Sequence, residues 1–173
     1  MTWINTLSGA HFDYRDPQPE SICIEDIATA LSNECRFAGH LPQFYSVAQH
    51  SILTSRIVPP AFALEALLHD AAEAYCKDIP SPLKSLLPDY QTIEAGIESI
   101  VRNKYGLPPE MSPEVKRADL IMLATEKRDL GIDEGITWPM LVGVPLADII
   151  IIPLTNIQAK HAFVRRWHEL TAE

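Results

Sequence analysis

Residues 60–76, PAFALEALLHDAAEAYC, read as one helix that is apolar almost all round yet carries the ionisable side chains Glu65, His69, Asp70 and Glu73. At helical spacing Glu65, His69 and Glu73 fall at i, i+4 and i+8 on one stripe, with Asp70 a step round beside the last two. Phe62, Leu64, Leu67, Leu68, Ala71 and Ala74 are the lining of a helix that a domain buries. A buried carboxylate without a partner costs several kcal/mol, and no Lys or Arg lies between Arg56 and Lys77 to supply one. A metal ion would meet that need. The other reading is a half-exposed helix whose polar stripe faces water.

The rest of the chain narrows the field. Its 173 residues are the size of one domain, spanning 1–173, and 47% hydrophobic residues suffice for a real core. A net charge of −9 argues against a broad basic surface for nucleic acid polymers or anionic membranes, so an anionic substrate would need a local cation. Cys23, Cys35 and Cys76 are odd in number and lack a C-x-x-C spacing, which suits reduced thiols in a cytosol. The first residues do not pattern as a signal peptide, and the run Ile149–Ile152 is too short to span a bilayer. The expectation is a soluble, cytoplasmic protein.

Taken in order, residues 1–21 carry Gly9, Pro17 and Pro19 without periodicity and read as an irregular arm or a short hairpin. Ile22–Leu31 makes a short helix. Ser46, with Gln49 three residues on, opens the helix SVAQHSILTSRIV, which Pro59 closes and which carries His50 on its apolar face. After the central stretch, KDIPSPLKSLLP is a proline-punctuated turn into a helix from about Asp89 to Tyr105, ended by Gly106. Ser112–Pro113 starts another, which stops at Gly131 and puts Asp119 and Glu126 on one face. Residues 132–154 are broken by Pro139, Pro145 and Pro153, with DIIIIP either a short strand or a buried extended segment. Thr155 with Gln158 caps the last helix. Long helices joined by proline-rich connections predict an all-α bundle. The final helix puts Ala159, Phe163 and Trp167 on an apolar stripe that packs either on its own domain or on a second subunit, and a homodimer is the expectation.

His50 and His69 lie on adjacent helices joined by a two-proline turn, which should pack antiparallel and bring His50 toward His69–Asp70. Asp119 could supply a fourth ligand, or could pair on the surface with Lys116 or Arg117. A His/His/Asp/Asp set suits Mn, Co, Fe, Zn or Mg in an open geometry better than a closed structural zinc, and open positions mean catalysis.

With these residues in place, the chain resembles the HD-domain metal-dependent phosphohydrolase superfamily. The segments RFAGH-x4-YSVAQHS, LLHDAAEAYCKDIPSPLK and RADLIMLATE are similar to the branch holding the bacterial 5′-deoxynucleotidases and a phage- or prophage-type subgroup. They lie within residues 35–130. The resemblance implies metal ligands His50, His69, Asp70 and Asp119, with Glu73 as the catalytic acid/base acting on the attacking water. It implies Arg36 as the grip on the substrate phosphate, with Lys84 assisting, and Asp78 as the holder of the sugar hydroxyl, with Ile79, Pro80 and Ser81 lining the wall. Arg36 could instead neutralise Glu34, and Asp78 could be a turn residue. The deoxynucleotidases carry tryptophan where this chain has Phe37, which leaves sugar selectivity open. His40 could contact phosphate or brace its loop.

The function so implied is hydrolysis of (deoxy)nucleoside 5′-monophosphates to nucleoside and phosphate by a divalent metal ion. The rivals are another nucleotide hydrolysis, of a nucleoside triphosphate, (p)ppGpp or a cyclic nucleotide, and a catalytically silent nucleotide-binding module. The triphosphate and signalling hydrolases are longer or carry extra domains, and retention of every ligand with Glu73 weighs against a silent module.

Overall fold

Capping residues set several helix ends in the computed structural model, which describes residues 1–172. The elements are strands β1 (Trp3–Asn5) and β2 (His11–Asp13) and helices α1 (Ile24–Asn33), α2 (Val47–Ile57), α3 (Ala63–Leu68), α4 (Glu73–Cys76), α5 (Ser81–Lys84), α6 (Pro88–Lys104), α7 (Pro113–Asp129) and α8 (Asn156–Thr171). The protein is therefore mostly helical, as the sequence pattern predicts. Among the described residues no helix is long and apolar enough to cross a membrane.

Ser46 caps α2 by accepting from the Gln49 backbone N–H, and the helix stops where Val58, preceding Pro59, turns extended. Thr155 and Gln158 form a full reciprocal capping box on α8. Gly106 and Gly131, at φ +64° and +65°, take the left-handed position that ends α6 and α7. The Leu107 N–H returns to the Arg102 carbonyl and the Ile132 N–H to the Lys127 carbonyl, so carbonyls the helices leave open are satisfied.

Helix α2 is the hub: it packs on α1, α3, α7 and α8. Its burial is almost complete, with His50 and Thr54 at 0% exposure. Ala159 and Phe163 of α8 are fully buried in the same core and Trp167 meets Tyr105 edge-on, so the apolar stripe of α8 packs within the chain.

One expectation changes and two open readings are decided. The central stretch is not one helix: α3 ends at Leu68, residues 69–72 form a tightened turn, and α4 begins at Glu73. The turn is held by short-range bonds from Ala71 to Leu68, Glu73 to Asp70 and Ala74 to Ala71, the 3₁₀ pattern. This overwinding rotates Glu73 off the Glu65 stripe by on the order of tens of degrees, so the two carboxylates face different surroundings. Second, residues 132–154 hold no strand; Ile149–Ile152 is irregular, with Ile151 buried and Ile150 and Ile152 exposed, and is tied by side chains, the Ile151 N–H donating to Asp129. Third, of the two readings of the N-terminus the hairpin is the one formed, with Trp3 opposite Asp13 and Ile4 opposite Phe12. Phe12 is fully buried against Tyr75, and Tyr14 donates to the Tyr75 carbonyl, so the hairpin braces the back of α4.

Candidate metal centre and adjoining cavity

His50 comes from the middle of α2, His69 and Asp70 from the tightened turn after α3, and Asp119 from the second turn of α7. The packing of α2 on α3 and α7 brings them together. The Nδ1–H of His69 donates to the Ala66 carbonyl at 2.7 Å, and that of His50 to Glu126 Oε1 at 2.6 Å. With both Nδ1 atoms so engaged, the two Nε2 atoms face each other at 3.3 Å. Asp119 Oδ1 lies 3.1 Å from His50 Nε2 and 3.9 Å from His69 Nε2, and Asp70 Oδ2 lies 3.7 Å and 3.2 Å from the same atoms. Two imidazole Nε2 atoms facing one another beside two carboxylates call for a positive charge between them, a proton or a metal ion. His50, His69 and Asp119 form a group whose ligand atoms all lie within 4.8 Å of one another and could hold a metal ion.

The same demand appears in the titration of the groups. Burial would push the His69 pKa down, but Asp70 and Asp119 raise it well above the usual histidine range. Burial would raise Asp119, yet its hydrogen bonds to His50 and His69 pull it far below an ordinary carboxylate. No surface ion pair involves Asp119 among the described residues; its neighbours are the two histidines.

Glu126 is the residue that sequence reasoning left without a role, although its shared face with Asp119 was legible. It is fully buried, and its Oε1 accepts from Tyr45 at 2.9 Å as well as from His50, while Oε2 accepts from Arg36 Nη2 at 3.1 Å. Burial would raise its pKa, but Arg36 and His50 outweigh that and keep it ionised. It fixes the tautomer of His50, the task of a carboxylate behind a metal-binding imidazole.

Arg36 also reaches Asp70, at 3.9 Å, and its Nε is buried without a partner. It does not neutralise Glu34, whose partner is Lys77. The segment after it is strained: Phe37 and Ala38 sit at φ +57° and +53°, a region costly for residues with a Cβ. Lys77, before Asp78, is at φ +76° and ψ 153°, a conformation that is nearly glycine-only. Both strained points flank the cavity.

That cavity, of about 530 Å³, has Asp70, Glu73 and Asp119 in its wall together with Arg36, Phe37, Asp78, Ile79, Pro80, Ser81 and Lys84. Of the side chains that sequence reasoning places around a substrate, only His40 stands apart, exposed and outside the lining. Lys84 donates to Glu94 at 2.6 Å. The Oε2 of Glu73 is buried with no hydrogen-bond partner, and burial, followed by Asp70 and Asp78, raises its pKa well above the usual range. Burial raises Asp78 too, against the pull of Arg36. Four further lining residues carry no signal in the sequence: Leu123 of α7 and Trp138, Pro139 and Met140 of the following loop.

The site is thus that of a helical protein with a histidine–aspartate cluster able to hold a metal ion beside a charged cavity. No protein-family model matches the chain. It belongs to the family of the uncharacterized protein YfdR of Escherichia coli K12, with 56% identity over 172 residues, 99% of this chain and 97% of that protein. An uncharacterized protein of Rhodobacter capsulatus is 35% identical over 126 residues, 67% of this chain and 64% of the relative.

Proposed function

We propose that the chain is a metal-dependent phosphomonoesterase of the HD type that hydrolyses (deoxy)nucleoside 5′-monophosphates to nucleoside and phosphate. The observation that carries this reading is the convergence of His50 Nε2, His69 Nε2, Asp70 and Asp119 beside the cavity that holds Arg36 and Glu73.

His50, His69, Asp70 and Asp119 would hold a divalent ion of the Mn, Co, Fe, Zn or Mg group. Once bound, such an ion supplies Lewis-acid polarisation of a phosphoryl oxygen and a lowered pKa for water. Arg36, fixed by Glu126 and always charged, binds the phosphate and stabilises charge on its oxygens. Glu73, whose carboxyl burial biases toward the protonated form, can give a proton to the leaving 5′-oxygen, directly or through water. Asp78 is set to accept from a sugar hydroxyl on the Ile79–Ser81 side.

The test is elemental analysis of the purified protein together with phosphate release from a panel of nucleoside mono- and triphosphates, (p)ppGpp and cyclic nucleotides. The expected result is a transition metal at about one ion per chain and release from monophosphates, with both lost in His69→Ala. Full metal content in His69→Ala, or preferred cleavage of a triphosphate or cyclic ester, would overturn it.

A further inference from the structure

The cavity wall has two unlike parts. One is charged, with Arg36, Asp70, Glu73, Asp78, Lys84 and Asp119; the other is apolar, with Phe37, Leu123, Trp138, Pro139 and Met140. We propose, resting on the function just given, that the apolar part is a stacking subsite for a planar aromatic ring, with Trp138 as its platform, and that it selects nucleotides over base-free phosphate esters without distinguishing among bases.

Trp138 is prepared for this. Its indole N–H already donates to Asp133 Oδ2 at 2.7 Å, and the Lys127 ammonium stands 5.5 Å from the ring centroid. The same Lys127 bonds the carbonyls of Ile132 and Asp133, so one α7 side chain fixes both the loop and the ring. Phe37 is matched in kind, with the Arg36 guanidinium 5.3 Å from its centroid. Two rings, each facing a cation, therefore border one cavity. A half-buried tryptophan and a Met140 that is 58% exposed are not core residues; they offer apolar surface to whatever enters. Because the indole N–H is spent and its neighbours are a proline, a methionine and a leucine, these side chains have no free donor with which to read a base edge. Stacking uses only the π-face that every base has, and it is tolerant of base identity for that reason. The charged part takes the phosphate end of the same molecule.

The experiment compares kcat/KM of the metal-loaded full chain for the deoxynucleoside 5′-monophosphates and for deoxyribose 5-phosphate, in wild type, Trp138→Leu and Trp138→Phe. The expected result is that Trp138→Leu lowers the nucleotide-to-sugar-phosphate ratio about tenfold or more, mainly through KM, and that Trp138→Phe recovers most of it. A ratio unmoved in Trp138→Leu, or a wild-type preference for one base greater than about 100-fold, overturns the subsite. If wild type cleaves neither ester, the hydrolase reading fails and calorimetric binding of the same two ligands decides. Tighter binding of the nucleotide that Trp138→Leu abolishes supports the subsite, and equal or undetectable binding overturns it.

Discussion

Glu65 and Glu73 are eight residues apart in one apolar stretch, and the structure treats them in opposite ways. Glu65, 4% exposed, is saturated: Oε1 accepts from Arg102 at 2.7 Å and from the Ser112 N–H at 2.8 Å, and Oε2 from the Ser112 hydroxyl at 2.6 Å. Burial would raise its pKa, but Ser112 and Arg102 more than offset this and hold it low. Glu73 has a buried oxygen without a partner and a pKa raised by that burial. One carboxylate ties α3 to α6 and to the start of α7; the other is left free to exchange a proton. The two acids differ in the partners that their oxygens find.

Removing each acid in turn separates the two roles. Glu73→Gln is expected to lower kcat by about 100- to 10,000-fold, the usual worth of general acid/base help, while metal content stays intact. Loss of the metal in this variant would make Glu73 a ligand and refute the division of roles. Glu65→Ala should do the converse: it leaves Arg102 only Glu98 and the Pro108 carbonyl as partners and costs about 3–5 kcal/mol of stability, read from the urea midpoint, with kcat of the folded fraction retained. A cost below about 1 kcal/mol would mean that the buried pair does not hold the helices together.

The smallest effect is one of pH. Glu73 has a folded-state pKa above its unfolded value, so the folded protein keeps a proton that the unfolded chain releases. Its effect on the stability of metal-free protein should therefore turn unfavourable as pH rises from about 4.5, the ordinary glutamate value, toward the raised folded value. Glu73→Gln cannot ionise, so its melting temperature should gain on wild type between pH 5 and pH 8. A gap that is constant or narrows with pH would show that Glu73 is not held protonated.

Most helices were legible because their ends obey local chemistry: Ser46, Thr155, Gly106 and Gly131 act where the sequence places them. Ser112 shows the limit. It stands at the start of α7 as a cap should, but its hydroxyl goes to Glu65, a tertiary partner that periodicity does not reveal. The break at 69–72 was hidden for a related reason, since alanine-rich helix and 3₁₀ turn share composition and differ only in hydrogen bonds. The need for positive charge near the central stretch was correctly read, but it has two answers. Arg102 serves Glu65 from a distant helix, whereas the His50–His69–Asp119 group answers with a site that could hold a metal ion. The Trp138 loop has no period to mark it, and only the folded cavity shows that it shares a wall with Arg36.

Glu126 bears on inheritance. Its two oxygens are shared by Tyr45, His50 and Arg36, all on segments distant in sequence. A substitution at position 126 would leave a buried guanidinium and a buried hydroxyl unanswered, and a change at 36 or 50 would strand the carboxylate. Positions 36, 45, 50 and 126 therefore cannot drift one at a time. Across the YfdR family they should be kept or exchanged as a set, and a relative that has lost one of the four is where to look for a compensating change in the others.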